Sequence, residues 1–142
     1  MPEESSGPRD IRIADEQHHM YQELTEDEAS PFYETTKTDM FVFAMGYGFD
    51  QGLRTEITDS RRALFQIRDL SSAQDWNVRA IAVYEKEDHR VLQDKSEVYQ
   101  IAVEYAHGGM DQLYKRYTSP GDFFSEISSE IIQYGTQRLA DD

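Results

Sequence analysis

The sequence predicts a mainly α-helical protein, a compact bundle of about five helices with one short N-terminal strand. Apolar residues recur at helical spacing through most of the chain, and capping residues or glycines mark the ends of these stretches. Alternation typical of a strand occurs near the N-terminus. The 142 residues are enough for one domain, which the pattern places at residues 10–138. The polar residues 1–9, with two prolines and a glycine, are predicted to be a disordered tail.

A strand and a helix are predicted first. Ile11 and Ile13 alternate with polar neighbours such as Arg12, which is the period of a half-buried strand. Asp15 suits an N-cap, because its carboxylate can accept hydrogen bonds from the free N–H groups of a first helical turn. A helix is therefore expected over residues 15–27.

A second helix is predicted from about Thr38 to Gln51. This stretch is apolar on nearly every side and therefore belongs in the middle of a core, and Gly52 is a natural terminator. Gly46, Gly48 and Gly52 have the spacing G-x-G-x-x-x-G. A dinucleotide-binding loop needs a strand before it and a spacing shorter by one residue. These glycines therefore indicate the close approach of another helix rather than phosphate binding.

Residues 53–70 leave two alternatives open, a short extended piece or an irregular turn of helix. Either one must bury the three large apolar side chains of this stretch, Leu64, Phe65 and Ile67. A third helix is then predicted from Ala73 to about Lys86, behind a capping box formed by Ser72 and Asp75. The residues expected on its buried face are Trp76, Ala80, Val83 and Tyr84.

Two more helices are predicted in the C-terminal part. The first is expected to end at His107, Gly108 and Gly109 in a Schellman-type turn, because a glycine pair readily leaves the helical conformation. His107 would then lie at a helix C-terminus, where the helix dipole favours a cation. The last helix is predicted to begin after the cap Ser119, with Pro120 at its first position.

Charge is the most unusual property of the composition. The chain has 28 acidic and 14 basic residues, for a net charge of −14, and only four of the bases are lysines. So large a net charge keeps a protein soluble but makes it repel itself, and concentrated salt screens that repulsion. An acidic, lysine-poor chain is therefore predicted to come from a halophilic organism, with an ordinary acidic protein as the alternative.

Several classes of protein are excluded or disfavoured by the composition. The chain has no cysteine, which excludes disulfides, thiolate zinc sites and cysteine nucleophiles. The N-terminus is acidic and polar, unlike a signal peptide, and the longest apolar run, residues 40–49, is about half a membrane span. These features predict a soluble, cytoplasmic protein that does not enter a membrane.

No residues are distinguished as catalytic groups or metal ligands. His18 and His19 are adjacent, so on a helix their side chains point about 100° apart and do not easily share one metal ion. Asp15 and His19 have helical spacing, but no H-E-x-x-H pattern completes a zinc site. Carboxylates are too numerous for one acid–base pair to be singled out, and no serine lies in a nucleophile-elbow sequence. The sequence therefore predicts a protein that is not an enzyme and has no metal or cofactor.

One window of this acidic chain is locally basic. Between residues 53 and 68, two acids accompany four arginines, which are Arg54, Arg61, Arg62 and Arg68. Guanidinium groups suit bidentate contact with phosphate, so these arginines are candidates for contact with a DNA backbone. The alternative is that they pair with neighbouring acids, and the overall negative charge opposes DNA binding.

The order strand, helix, helix over residues 10–52 offers a second way to bind DNA. A ribbon-helix-helix module has this order, and two chains pair their strands so that outward side chains enter a DNA groove. Arg12 would be such a side chain, and Thr38 would contact a phosphate from the start of the second helix. This alternative predicts a homodimer that regulates transcription.

Three segments also resemble one small protein family. They are FVFAMGYGF with the nearby QGLR, WNVRAIAVYE, and VEYAHGGMDQL. Over roughly residues 10–135 the chain is similar to the family named dnd system-associated protein 4. In addition, the segment RIADEQHHMYQEL resembles the opening of the small, non-catalytic DNA-binding subunit of the same modification system, which is itself ribbon-helix-helix-like.

The resemblance implies a genomic setting for the protein, and it implies no specific reaction. The family is encoded beside genes that replace a non-bridging phosphate oxygen of DNA with sulfur, and beside restriction genes that attack unmodified DNA. It has no assigned catalytic residues, so none transfers to this chain. The implied function is a non-catalytic accessory component of phosphorothioate-based defence, with modification or restriction subunits as partners and DNA as a further contact.

Overall fold

The computed structural model describes residues 7–119, 125–127 and 129–130. Within these residues the elements follow the order β1 (Asp10–Ala14), α1 (His18–Glu26), α2 (Lys37–Gln51), β2 (Arg61–Gln66), α3 (Ser72–Lys86) and α4 (Lys95–Thr118). Short 3-10 turns follow each strand and join the last two helices, at Asp15–Gln17, Ile67–Asp69 and His89–Gln93. The predicted mainly α-helical bundle is confirmed.

The helix α2 lies along α4, and this pair forms the centre of the fold. Phe41 and Ala44 of α2 are fully enclosed, as expected for a helix that is apolar on several sides. Its predicted limits are confirmed to within one residue. The Thr36 hydroxyl caps the first turn by accepting a hydrogen bond from the Asp39 N–H at 3.1 Å, and Gly52 ends the helix with φ +68°.

The predicted alternation in β1 is confirmed, because Ile11 and Ile13 are buried while Arg12 is exposed. The order β1, α1, α2 is also as predicted. The predicted N-cap is wrong, because Asp15 is itself the first residue of the 3-10 turn at 15–17, and no side chain caps that turn. The α-helix therefore begins later than the sequence suggested.

The strand β2 decides between the two alternatives for residues 53–70. It is extended and pairs antiparallel with β1, in a register that joins Arg12 to Ala63 and Ile13 to Arg62. The two-stranded sheet is therefore made from segments that are distant in the sequence, and β1 has its partner within the same chain.

The predictions for α3 need two corrections. The capping box lies one residue earlier, since the Ser71 hydroxyl accepts from the Gln74 N–H at 3.1 Å and the Gln74 side chain accepts from the Ser71 N–H at 2.9 Å. The predicted buried face is wrong, because Trp76 and Tyr84 are 68% and 72% exposed. The residues of α3 buried against the core are Val78, Ile81 and Ala82. The helix carries apolar side chains on two faces, and the core covers one of them.

The helix α4 continues through its predicted end. It is unbroken over residues 95–118, so His107 lies in the middle of the helix and not at its C-terminus. A glycine pair ends a helix by adopting a left-handed conformation, but Gly108 and Gly109 keep negative φ. Both glycines lie directly against backbone carbonyl groups of neighbouring segments, where a Cβ atom would collide. They therefore serve packing and not termination.

The predictions for the two ends of the chain lie mostly outside the described residues. Of the predicted tail, residues 7–9 are described and are exposed. Of the predicted last helix, residues 125–127 and 129–130 are described and are helical, and Ile127 is buried. Arg116 of α4 connects this segment to the fold through an ion pair of 2.5 Å with Glu130.

Candidate nucleic-acid interface

The two-stranded sheet brings together four of the five arginines that the sequence proposes as DNA contacts. Arg12 lies on β1, and Arg61 and Arg62 lie on β2, opposite the residues that follow Arg12. Arg68 lies in the 3-10 turn that continues β2. Two distant segments of the chain thus bring these arginines onto one small sheet and its adjoining turn, and we call the four together the arginine face (Arg12, Arg61, Arg62 and Arg68).

Two arginines of the sheet, Arg12 and Arg62, have exposed side chains. Ile11, Ile13 and Leu64 are buried in the core and anchor both strands. Because side chains alternate along a strand, Arg12 points away from these residues, and its side chain is 53% exposed. The side chain of Arg62 is 62% exposed. Alternation therefore accounts for the exposure of Arg12 and not for that of Arg62, which lies opposite the buried Ile13 in the register.

The exposed arginines make only weak ion pairs. Arg12 lies 3.9 Å from the Asp10 carboxylate, and Arg62 lies 3.3 Å from that of Asp15. Exposed pairs of this kind contribute about 0–1 kcal/mol. Arg68 is exposed and has no ion pair with another of the described residues. These three guanidinium groups can therefore exchange their present contacts for a phosphate at little cost.

Arg54 is arranged differently from the other four. Its Nε lies 2.6 Å from a Glu104 oxygen, and a terminal nitrogen lies 2.8 Å from Glu85. Burial by itself would lower the pKa of Arg54, but the hydrogen bonds to Glu104 and Glu85 outweigh it and raise that pKa. Two carboxylates already occupy this guanidinium, so for Arg54 the structure shows the pairing with acids that the sequence left as the alternative.

Arg54 belongs to a polar network that joins α3, α4 and the loop before β2. The Tyr105 hydroxyl donates to Glu85 at 2.5 Å. The hydrogen bonds from Tyr105 and Arg54 lower the pKa of Glu85, and burial together with the bond to Glu85 raises the pKa of Tyr105 to about 12. Glu104 is only 7% exposed. These shifts favour the charged carboxylate and the neutral phenol, which is the pattern of a structural network.

Arg61 connects the arginine face to this network. It is half-buried, and it donates a hydrogen bond of 2.9 Å to the side-chain oxygen of Gln100 on α4. The amide nitrogen of Gln100 donates in turn to Glu104 at 2.7 Å. Arg61 therefore has a positioning contact to α4, and it is less free than Arg12, Arg62 or Arg68.

Sequence reasoning missed one basic residue beside this surface. Arg9 belongs to the predicted tail, but its carbonyl oxygen accepts a hydrogen bond of 2.8 Å from the N–H of Ile67. This bond extends the sheet and places Arg9 beside the turn that carries Arg68. Arg9 is exposed. Arg9 could have been located from the sequence only by knowing which strand pairs with β1, and that strand is distant in the sequence.

The two adjacent histidines have separate surroundings. His18 Nε2 lies 3.1 Å from the carbonyl oxygen of Arg62. His19 lies 3.9 Å from the Glu23 carboxylate and meets the Tyr114 ring edge-on at 5.4 Å between centroids. Each ring therefore has its own contacts within the protein.

The described part of the chain has neither a metal-binding cluster nor a membrane-spanning helix. No three histidine, aspartate or glutamate side chains there are grouped so that they could hold a metal ion. Over the same residues, no helix combines the length and apolar character needed to cross a bilayer.

The arginine face has the chemistry of a phosphate contact. Guanidinium groups bind phosphate oxygens through paired hydrogen bonds, and contacts to the backbone position a protein on DNA without reading its bases. Asp10 and Asp15 compete with phosphate for the same cations, so the contact would be weak and sensitive to salt.

Comparison with known proteins identifies a family. The model of the family described as DNA sulphur modification system-associated protein 4 matches residues 10–142. This range contains both strands and all four α-helices named above, and the family is the one that the three sequence segments resemble. No curated protein and no solved structure matches the chain.

Proposed function

The chain belongs to the family of DNA sulphur modification system-associated protein 4, and we propose that it is a non-catalytic accessory component of such a system. It contacts protein subunits of the modification or restriction machinery, and it contacts the DNA backbone through the arginine face. Its setting is antiviral defence in the cytoplasm, where the DNA to be modified or restricted lies. The family match over residues 10–142 is the observation that carries this proposal.

The surroundings of the buried acids support a non-catalytic role. A general acid or base must reach a proton of the substrate. Glu85 and Glu104 are the acids held most firmly in the network, and both accept hydrogen bonds from Arg54. Their charges are neutralised within the fold, and their hydrogen bonds join helices to a loop.

The DNA contact of the proposal uses Arg12, Arg62 and Arg68. All three are exposed and held at most by weak ion pairs. The net charge of −14 repels DNA from the rest of the surface. DNA is therefore contacted from one side only, and its binding depends on protein subunits that hold the chain near it.

A triple variant tests this contact. We expect Arg12→Ala, Arg62→Ala and Arg68→Ala together to weaken binding of a labelled duplex in fluorescence anisotropy. The dependence of log K on log salt should flatten by about 0.9 for each phosphate that the variant no longer neutralises. Duplexes with and without phosphorothioate linkages should lose affinity equally, because backbone arginines contact both.

A matched triple variant controls for the loss of charge. Lys86→Ala, Arg90→Ala and Lys115→Ala remove the same number of exposed cations away from the sheet. Affinity should stay close to that of the wild type. An equal loss in both variants would show that only net charge matters, and the arginine face would then not be a DNA contact.

Arg54→Ala separates the structural role from the DNA contact. It leaves the nearly buried Glu104 without its cation, so the free energy of unfolding should fall by roughly 1–3 kcal/mol. Duplex affinity of the folded variant should not change. Reduced affinity at a temperature where circular dichroism shows the native fold would return Arg54 to the DNA-contacting set.

The protein contact is tested by co-purification from the native host at its own salt concentration. Mass spectrometry should identify subunits of the sulfur-modification or restriction machinery with the tagged chain. Recovery of DNA alone, or of the tagged chain alone, would contradict the accessory role.

A ribbon-helix-helix regulator is the second candidate, favoured by the order β1, α1, α2 and by the exposed Arg12. It needs two chains to pair their β1 strands, whereas here β1 pairs with β2. It predicts a homodimer whose binding to a specific operator is abolished by Arg12→Ala. A monomer in sedimentation at multimolar KCl would exclude it.

A further inference from the structure

The outer side of α3 carries an apolar stripe that the described residues leave largely uncovered. It consists of residues at positions i, i+4, i+7 and i+8, which lie on one side of a helix, and we call it the α3 stripe (Trp76, Ala80, Val83 and Tyr84). Together with Arg79 and with Leu92 from the following turn, the stripe lines a shallow groove of about 400 Å³.

The exposure of the two aromatic rings is the reason to assign this surface a role. Trp76 and Tyr84 are 68% and 72% exposed, more than any other large apolar side chain in the described residues. Tyr84 is held in place by an edge-on contact with Phe49, at 5.2 Å between ring centroids. Tryptophan and tyrosine dominate the energetic centres of protein interfaces. Two exposed aromatic side chains on one helix, one of them held by a ring contact, fit such a centre.

The cations beside the α3 stripe are already paired. Arg79 lies 2.7 Å from the Asp75 carboxylate, and Lys86 lies 3.5 Å from Glu97. Neither ion pair involves a residue of the α3 stripe. The groove therefore has an apolar centre whose neighbouring cations are neutralised.

A second copy of the chain is poorly suited to cover the α3 stripe. A large aromatic side chain can bury roughly 150–250 Å² of surface. Because Trp76 and Tyr84 are 68% and 72% exposed, the two together offer about 200–350 Å² of accessible surface to a partner. A stable dimer interface buries about 800 Å² on each partner. Each copy also carries a net charge of −14, so two copies repel. The stripe is large enough to anchor one helix and too small to hold two molecules of this chain together.

Unpaired negative charge lies at one end of the stripe. Glu87 is exposed one turn beyond Val83, and among the described residues it has no cation within ion-pair distance. The C-terminus of α3 adds the negative end of its dipole. An occupant with lysine or arginine at this end is therefore favoured.

We propose that the α3 stripe docks an amphipathic helix of a protein subunit, with apolar residues against Trp76 and Tyr84 and with basic residues toward Glu87. This is the helix-in-groove mode of recognition. The inference rests on the proposed accessory function only in assigning the helix to a subunit of the sulfur-modification or restriction machinery.

The single tryptophan makes the docking directly measurable. The probe is a synthetic amphipathic peptide of leucine and lysine, about 14 residues or roughly four turns long. Titration into the full chain should shift Trp76 emission to shorter wavelength and saturate, because the indole leaves water. A peptide of the same composition with the apolar residues scrambled, and a leucine–glutamate peptide, should produce no saturable shift.

A matched pair of variants locates the site. Ala80→Lys places a charge in the centre of the stripe and should weaken peptide binding by roughly tenfold, as expected when a central position of an interface is disrupted. Ala29→Lys adds the same charge at an exposed loop position and should change the affinity less than about twofold. Equal effects, or an equal emission shift with the scrambled peptide, would overturn the proposal.

Two further outcomes are distinguishable. A shift of Trp76 emission on raising the protein concentration alone, with a dimer in sedimentation, would assign the stripe to a second copy and overturn the proposal. In co-purification, Ala80→Lys should lose the subunits that the wild type and Ala29→Lys recover. Retention by Ala80→Lys would overturn the docking inference and leave the accessory function standing, whereas failure of the wild type would overturn the accessory function itself.

Discussion

Gly48 in α2 and Gly109 in α4 lie against each other without side chains between them. A Cβ atom on Gly48 would overlap the carbonyl oxygen of Tyr105 and lie 3.1 Å from the Gly109 nitrogen. A Cβ atom on Gly109 would overlap the carbonyl oxygen of Ala44 and lie 2.9 Å from the Gly48 nitrogen. The two central helices therefore meet backbone to backbone, and of the three glycines whose spacing approaches that of a phosphate loop, Gly48 is a packing residue.

Gly48→Ala and Gly109→Ala should each destabilise the protein. The added methyl group meets backbone, which cannot move aside as a flexible side chain can, so the central helices must separate. We expect the free energy of unfolding to fall by about 3 kcal/mol or more, since overpacking a core costs roughly 1–3 kcal/mol even where side chains can adjust. Chemical denaturation monitored by circular dichroism measures this change.

Gly46→Ala is the matched control in the same helix. A Cβ atom there meets nothing within 4 Å, and alanine favours a helix over glycine by about 1 kcal/mol. This variant should be as stable as the wild type or more so. Equal destabilisation at all three glycines would show that α2 and α4 are not packed as described.

The hydrogen bond from Tyr105 to Glu85 should make a contribution to stability that depends on pH. The pKa of Glu85 is lowered from its ordinary 4.5, so its contribution is complete above pH 4.5 and is lost as pH falls through the folded-state value. The pKa of Tyr105 is raised from 10.0 to about 12, so its contribution is lost as pH rises through that interval. Tyr105→Phe should therefore cost most between these limits, roughly 1–2 kcal/mol.

Urea denaturation across this pH range measures the difference between wild type and Tyr105→Phe. Tyr84→Phe is the control, because the Tyr84 ring is 72% exposed and its hydroxyl bonds no other described residue. The control should show no change with pH. A Tyr105→Phe difference that stays constant from acid to alkali would contradict the assigned pairing.

Stability should rise with salt. The chain carries 28 acids against 14 bases, and Glu26, Glu28 and Glu34 lie near one another in sequence without a cation in ion-pair distance among the described residues. Screening reduces the repulsion among such groups. The melting temperature should increase substantially between about 0.1 M and about 2 M KCl, where the Debye length falls from roughly 10 Å to below roughly 3 Å.

Repeating the salt series near the ordinary carboxylate pKa controls for other effects of KCl. Partial protonation removes much of the negative charge, so the salt dependence should become smaller. A melting temperature that does not respond to KCl at neutral pH would mean that the acids are compensated locally, and the inference of a halophilic source would be wrong.

Part of the candidate site was visible in the sequence. The arginine window and the outward position of Arg12 follow from composition and from period-2 alternation, which are local properties. Their combination on one sheet, and the addition of Arg9, depend on the pairing of β1 with β2. Strand pairing between distant segments has no local signature, because either strand can satisfy its backbone groups with many partners.

The sequence by itself determined the helical class, the limits of α2, the alternation in β1 and the excess of negative charge. Each depends on near neighbours in the chain, through helix periodicity, caps and composition. Only the tertiary structure decided three other features. It placed Arg54 between Glu85 and Glu104, it carried α4 through Gly108 and Gly109, and it left Trp76 exposed.

The physical reason is the same for these three features. A helix with apolar residues on two faces, a glycine pair that can turn or pack, and an arginine near many acids each have more than one locally acceptable arrangement. Which arrangement forms depends on the segments of the chain that pack against these residues in the folded protein. Burial of Val78, Ile81 and Ala82 against the core leaves Trp76 outside, and no spacing within α3 distinguishes the two faces.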